Sequence, residues 1–226
     1  MKSLPEVLND NRDKFALVIS QLEDISKLLP ISFGPDNSEL AGINYSDITQ
    51  FSNYIKNKID NQQKLAAYGG YLEDRAMYYR SRLFKSGCDV RTIHLGIDIW
   101  AAIGTPVMAF YEGTVHNFGI NDAHGDYGGV VVLEHELQGH TFYTLYGHLS
   151  HKSVKGKSKG KKIKTGETFA FVGSPSENGY WPPHLHVQII RNFLSYDLDF
   201  PGVCTPNSVN YFEKVCPDPS VILGLP

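Results

Sequence analysis

The sequence predicts a mainly β protein: an antiparallel sheet or sandwich with an N-terminal helical segment, α+β overall. Three observations predict it. Between Arg91 and Ile190, short β-branched and aromatic runs alternate with Gly-rich turns, the pattern of closely spaced antiparallel strands. Ahead of that stretch, apolar residues recur at steps of three and four, the period of a helix with one buried face. Beyond it, a proline-bearing tail reads as a wrapping segment. The division is therefore 1–85, a helical N-terminal segment; 86–195, the main β domain; and 196–226, a C-terminal wrapping tail.

In chain order, Phe15, Val18, Ile19, Leu22, Ile25 and Leu29 predict a helix over 11–29, stopped by Pro30. Ile48, Phe51, Tyr54, Ile55 and Ile59 predict a second from about Ser46 to Gln62, with Ser46 as candidate N-cap. Residues 64–85 are rich in Tyr and Arg, and Gly69-Gly70 marks a turn. Arg75, Arg80 and Arg82 fit either surface packing on aromatics or contact with an acidic substrate group. Thr105–Phe110 and Thr114–Phe118 flank Tyr111-Glu112-Gly113 like a hairpin. Val130–Glu136 and Thr141–Tyr146 are strands around the turn Gln138-Gly139-His140, and Phe169–Val172 and Leu185–Ile190 complete the series. The polar loop 119–129, with His124 and Asp126, reads as solvated. Seven lysines between Lys152 and Lys164 read as a solvated hairpin tip. Tyr180 and Trp181 sit in a loop feeding His184 and are candidates for substrate contact. A short helix is expected over Val209–Val215.

Composition bounds the function. With 226 residues, 42% hydrophobic and 20% charged, the chain has the make-up of an ordinary globular protein. A net charge of −3 gives no nucleic-acid signature. No apolar run is long enough for a transmembrane helix. The N-terminus lacks an apolar stretch of signal-peptide length, so the chain as it stands reads as cytoplasmic; a mature form without its signal would read the same. Cys88, Cys204 and Cys216 contain no CxxC pair and fit a reducing compartment.

Chemistry concentrates in His94-Leu95-Gly96-Ile97-Asp98, Tyr146-Gly147-His148-Leu149 and His184-Leu185-His186. Four histidines and an aspartate in these settings read as a metal site with acid–base partners, and zinc suits imidazole and carboxylate donors. On a strand, His184 and His186 share a face roughly 6–7 Å apart. One can hold a metal while the other faces the same cavity. Fully extended, His94 and Asp98 would be roughly 13 Å apart, too far for one ion. The chain must bend between them, and Gly96 permits it. No HExxH, Ser nucleophile elbow or P-loop is present. His116, His135, His140 and His151 lack such a setting and read as ordinary histidines.

These motifs, with Gly104-Thr105-Pro106-Val107, Gly113-Thr114-Val115, Gly166-Glu167 and Val172-Gly173-Ser174 between them, resemble the lysostaphin/LytM-type zinc metallopeptidases, which cleave peptide bonds in bacterial cell walls. The resemblance spans roughly Arg91 to Ile190. It implies a zinc metallo-endopeptidase of the family's β-fold, with the site in a groove across one sheet. It implies Zn2+ held by His94, Asp98 and His186, with His148 and His184 as catalytic histidines, and a peptide or peptidoglycan-type crosslink as substrate. The absence of an export signal keeps two alternatives: an intracellular zinc hydrolase on another amide or peptide, and a non-catalytic groove-binding regulator, which would be expected to have lost ligands.

Overall fold

The computed structural model describes residues 2–75, 77–78, 82–86, 89–194, 196–198 and 200–226, without the side chains of residues 82 and 86. Arg80, Cys88 and the Arg82 side chain therefore lie outside the described residues. Helix α1 (Leu4–Asp10) leads to strand β1 (Leu28–Pro30), helix α2 (Ile48–Asn61) and strand β2 (Ala66–Gly69). Short strands follow: β3 (Lys85–Ser86), β4 (Asp89–Val90), β5 (Ile93–His94), β6 (Ile97–Trp100) and β7 (Pro106–Met108). The long strands are β8 (Gly113–Asn121), β9 (Gly128–Leu137) and β10 (His140–Leu149). Helix α3 (His151–Val154), β11 (Lys162–Ile163), β12 (Thr168–Phe171), β13 (Leu185–Ile190), β14 (Val203–Cys204), α4 (Val209–Val215) and α5 (Ser220–Leu223) complete the chain.

An eight-stranded sheet, ordered β1-β2-β6-β13-β10-β9-β8-β11, is the frame. Its pairs are antiparallel except β1 with β2. Strand alternation sorts its faces. Ile97, Ile99, Leu185, Val187 and Ile189 enter the largest apolar core. Asp98, His186 and Gln188 point the other way. Residues 138–139 make the β9–β10 turn of a tight hairpin: Gln138 and Gly139 both take positive φ, 48° and 82°, the requirement of a type I′ turn.

Four sequence expectations change. Residues 11–29 form 3-10 turns at Arg12–Lys14, Ser20–Glu23 and Ile25–Lys27, then β1, instead of one helix. The segment lies along 107–110, where Ala16 N–H donates to Phe110 O and Met108 N–H to Val18 O. Its backbone is satisfied there, while Val18, Ile19 and Leu22 still bury their side chains. The second helix is present, but its cap is Asp47, whose carboxylate accepts from Thr49 and Gln50 N–H. The hairpin expected around 111–113 is absent: β7 pairs with β12, while β8 pairs with β9. The lysine-rich stretch is also tied down, by α3, by β11 on β8, and by Lys157 Nζ donating to Phe169 O.

Two strands that precede residue 86 belong to the main sheet. β2 pairs with β6 through Ala67–Trp100, Tyr68–Ile99 and Gly69–Asp98. The tail is likewise anchored, β14 pairing with β5. Among the described residues no helix is long and apolar enough to cross a membrane.

Candidate metal centre

One cross-strand row carries the site: Gly69 on β2, Asp98 on β6, His186 on β13 and Gly147 on β10 are successive partners. Facing residues in such a row have side chains about 5 Å apart, so His186 and Asp98 meet by register alone. His94 arrives by the bend that Gly96 permits, since β5 leaves the main sheet to pair with β14. A Cβ on Gly96 would stand 2.6 Å from His186 Cε1 and from Val187 O, so no larger residue fits. His148 is aimed by a bulge: β9–β10 register slips between Tyr146 and Leu149, and His148 takes a left-handed φ of 61°. Bulges beside functional sites re-aim side chains in this way, at a backbone cost of order 1–3 kcal/mol.

Ring tautomers follow from the partners. His94 Nδ1 lies 2.9 Å from Gly70 O; a carbonyl only accepts, so Nδ1 carries the proton and Nε2 is bare. Gln188 Nε2 donates to Pro201 O at 3.2 Å, which turns Gln188 Oε1 toward His186 Nε2 at 3.0 Å. His186 therefore holds its proton on Nε2, and its Nδ1 is bare. The two bare nitrogens are 3.0 Å apart, with Asp98 Oδ1 at 3.1 Å from His186 Nδ1 and 3.3 Å from His94 Nε2. No proton is available between the nitrogens, so three lone pairs converge on one point. Donors around a tetrahedral zinc ion, each about 2.0–2.2 Å from it, lie roughly 3.3 Å from one another. Among the described residues this is the group of His, Cys, Asp or Glu side chains that could hold a metal ion. The donor set of two imidazoles and a carboxylate suits zinc, and three protein donors leave a position open.

The second carboxylate oxygen is taken. Arg75 Nη1 donates to Asp98 Oδ2 at 2.6 Å, and Arg75 Nε to Glu73 Oε2 at 2.7 Å. Glu73 is itself held by Ser32 Oγ and Phe33 N–H. Arg75 is 2% exposed, so it positions Asp98 and is not free to meet a substrate acid. Burial alone would push the Asp98 carboxyl up; the charges around it, His94 when protonated and the Arg75 guanidinium, overcome that and hold it well below the usual carboxylate range.

His148 and His184 lie side by side, ring centroids 4.0 Å apart. His148 Nδ1 donates to Asn178 O at 2.8 Å and His184 Nδ1 to Pro182 O at 2.7 Å. Each therefore keeps a bare Nε2, and His184 Nε2 is 3.7 Å from Asp98 Oδ1. Burial lowers both pKa values, which favours the neutral rings whose Nε2 the carbonyl partners leave bare. His184 also stacks against Trp100, centroids 6.0 Å apart.

All five sequence-identified residues thus converge. Gln188, Glu73 and Asn178 were not anticipated. Gln188 had a signal: 184, 186 and 188 are polar on alternate positions of a strand whose other residues are Leu185, Val187 and Ile189. Trp181 lines the adjoining cleft, whereas Tyr180 is 53% exposed and stacks on His124.

Residues 92–198 match the model of Peptidase family M23. The peptidoglycan DD-endopeptidase ShyC of Vibrio cholerae serotype O1 is 32% identical over 99 residues, 44% of this chain and 20% of that protein. The DD-carboxypeptidase/endopeptidase Mpg of Neisseria meningitidis serogroup B is 36% identical over 96 residues, 42% of this chain and 20% of that protein. The chain thus spans about a fifth of the length of these curated relatives. A crystal structure of a zinc-containing peptidase from Vibrio cholerae is 28% identical, covering 46% of this chain and 29% of that one, with a TM-score of 0.36. The stretch that matches the family M23 model, 92–198, is the one that carries all five clustered residues.

Proposed function

We propose that this chain is a zinc-dependent metallo-endopeptidase, with His94, Asp98 and His186 holding the ion and His148 and His184 as its catalytic histidines. The observation that carries this reading is the convergence of three lone pairs beside two bare imidazole nitrogens. When bound, zinc supplies Lewis acidity, polarising a carbonyl and making a water acidic near pH 7. The chain's own residues do the rest. One bare Nε2 of the His148–His184 pair accepts the water's proton. The imidazolium so formed stabilises the developing oxyanion or returns the proton to the leaving amine. Carbonyl locks on both Nδ1 atoms keep Nε2 as the working atom throughout.

Peptidoglycan-type crosslinks are the first substrate class, supported by the relatives' activities. A non-wall peptide is the second, favoured by the aromatic lining of the cleft. A non-catalytic role is disfavoured, because no ligand or catalytic position is lost. The test is digestion of crosslinked muropeptides and oligoglycine by zinc-loaded protein, read by mass spectrometry, with a chelator and His148→Ala as controls. Cleavage lost with both, while His148→Ala keeps its zinc, is expected. No cleavage of either substrate by protein holding one zinc per chain would move the substrate to the second class. Full zinc content in Asp98→Ala would overturn the ligand assignment.

A further inference from the structure

The three donors and the two neighbouring histidines open into one cleft of about 240 Å³. The rest of its lining includes Phe51 of α2, Met77, Tyr78, Phe84, Trp100 and Trp181. Tyr78 is tilted against Phe84, centroids 4.6 Å apart, and meets Trp181 edge to face at 6.0 Å. Four of these six residues precede residue 92, outside the stretch that matches the family model.

The charged groups bordering the cavity are already engaged. Arg75 is held by Asp98 and Glu73. Arg91 donates to Leu83 O and lies over the Phe84 ring. Asp126 accepts from Tyr127 N–H. Away from the donors and the histidine pair, the cleft therefore presents mainly aromatic and aliphatic surface. Ligand pockets that bury a whole small molecule run to about 300–1,000 Å³; this cleft, donors included, is smaller, which suits a peptide bond at the donors with one large side chain beside it. A glycine or alanine would leave it unfilled.

We propose that the cavity is a substrate subsite for a bulky apolar, preferentially aromatic, side chain adjoining the bond held at the metal centre. This rests on the hydrolase reading and, of its two substrate classes, selects the second: non-wall peptides with such a residue beside the scissile amide. Ring faces and edges already arranged at 5–6 Å are the geometry in which a further aromatic ring gains contact. Burying a benzyl group in place of open solvent corresponds to a factor of about 10–100 in binding.

The experiment compares phenylalanine hydroxamate with glycine hydroxamate on the zinc-loaded full chain. The hydroxamate reports on the metal, and the side chain reports on the cavity. The protein has two tryptophans, Trp100 and Trp181, and both line this space, so intrinsic fluorescence reads it directly. Phenylalanine hydroxamate should bind at least tenfold tighter than glycine hydroxamate. Trp181→Ala should shrink that ratio at least threefold with zinc content unchanged, and Phe84→Ala serves as a second wall variant. Equal affinities, with zinc bound and both compounds competing for it, would overturn the subsite and leave the hydrolase reading standing. Failure to take up zinc would overturn the hydrolase reading and the subsite with it.

Discussion

Gln188 is fully buried and has one task the metal depends on: its Oε1 keeps the proton of His186 on Nε2, 3.0 Å away. Gln188→Met retains length and most of the volume but offers no comparable acceptor. The His186 proton then has no reason to stay on Nε2. In the other tautomer it sits on Nδ1, the atom that faces Asp98 and His94. Loss of such a supporting partner typically weakens metal binding about 10–100-fold, equivalent to about 1.4–2.7 kcal/mol. A second cost falls on folding alone, because Pro201 O and Cys216 Sγ lose their donor; an orphaned buried group costs about 1–3 kcal/mol. The two are separable. Zinc affinity is measured by competition with a chromophoric chelator at pH 7, and apo stability by urea unfolding. A zinc Kd within twofold of the unsubstituted protein would refute the tautomer argument, whatever happens to stability.

Arg75→Leu should destabilise the chelated protein by about 3–5 kcal/mol, the cost of stranding one partner of a buried pair, and by less with saturating zinc, because the ion then neutralises Asp98; a urea series with a loss under about 1 kcal/mol would count against it. His135 lies outside the metal centre, buried, between Glu112 O and Thr144 Oγ1, and burial lowers its pKa to about 4. Between that value and the ordinary 6.5 the unfolded chain holds a proton that the folded chain does not, so stability falls as pH falls through this window, by up to about 3 kcal/mol; His135→Gln should flatten the slope by about one proton, and an unchanged slope would refute it. A chain beginning at residue 86 loses Gly70 and Arg75 and the β2–β6 pairing, and should bind zinc at least tenfold more weakly with no gain in cleavage; higher activity on trimming would instead mean that the segment blocks the groove.

The site was legible because its chemistry is local. His-x-His on an apolar strand, an aspartate four residues after a histidine with glycine between, and a Tyr-Gly-His-Leu run are each weak alone; their order in one chain, each beside strand-like sequence, is what points to a site. The long strands were legible for the same reason, since alternation and turn residues are near-neighbour properties. What failed was non-local. A 3-10 chain that borrows hydrogen bonds from residues 107–110 shows the same three- and four-residue apolar steps as a helix. Strands of three and four residues, β1 and β2, are too short to show alternation, and their pairing is set by partners up to 38 residues away. Arg75 sits in a Tyr- and Arg-rich stretch that reads like surface. It is buried because Leu72 and His94, and Arg75 and Thr92, pair their backbones, a contact that no periodicity announces.

That pairing makes the metal centre a joint product of two parts of the chain. The stretch that matches the M23 model supplies the three converging donors and the paired histidines His148 and His184. The preceding residues supply the carbonyl that orients His94, at Gly70, and the guanidinium that fixes Asp98, at Arg75. Arg75 is tied through Glu73 to Ser32 and Phe33, and Phe33 packs on Phe51 and Trp100, two walls of the aromatic cavity. A change in that layer therefore reaches both the position of a proposed ligand and the shape of the proposed subsite. Two proteins can share the donors, the bulge that aims His148 and the whole stretch 92–198, and still select different peptides, because the residues that shape this cavity lie largely outside what they share.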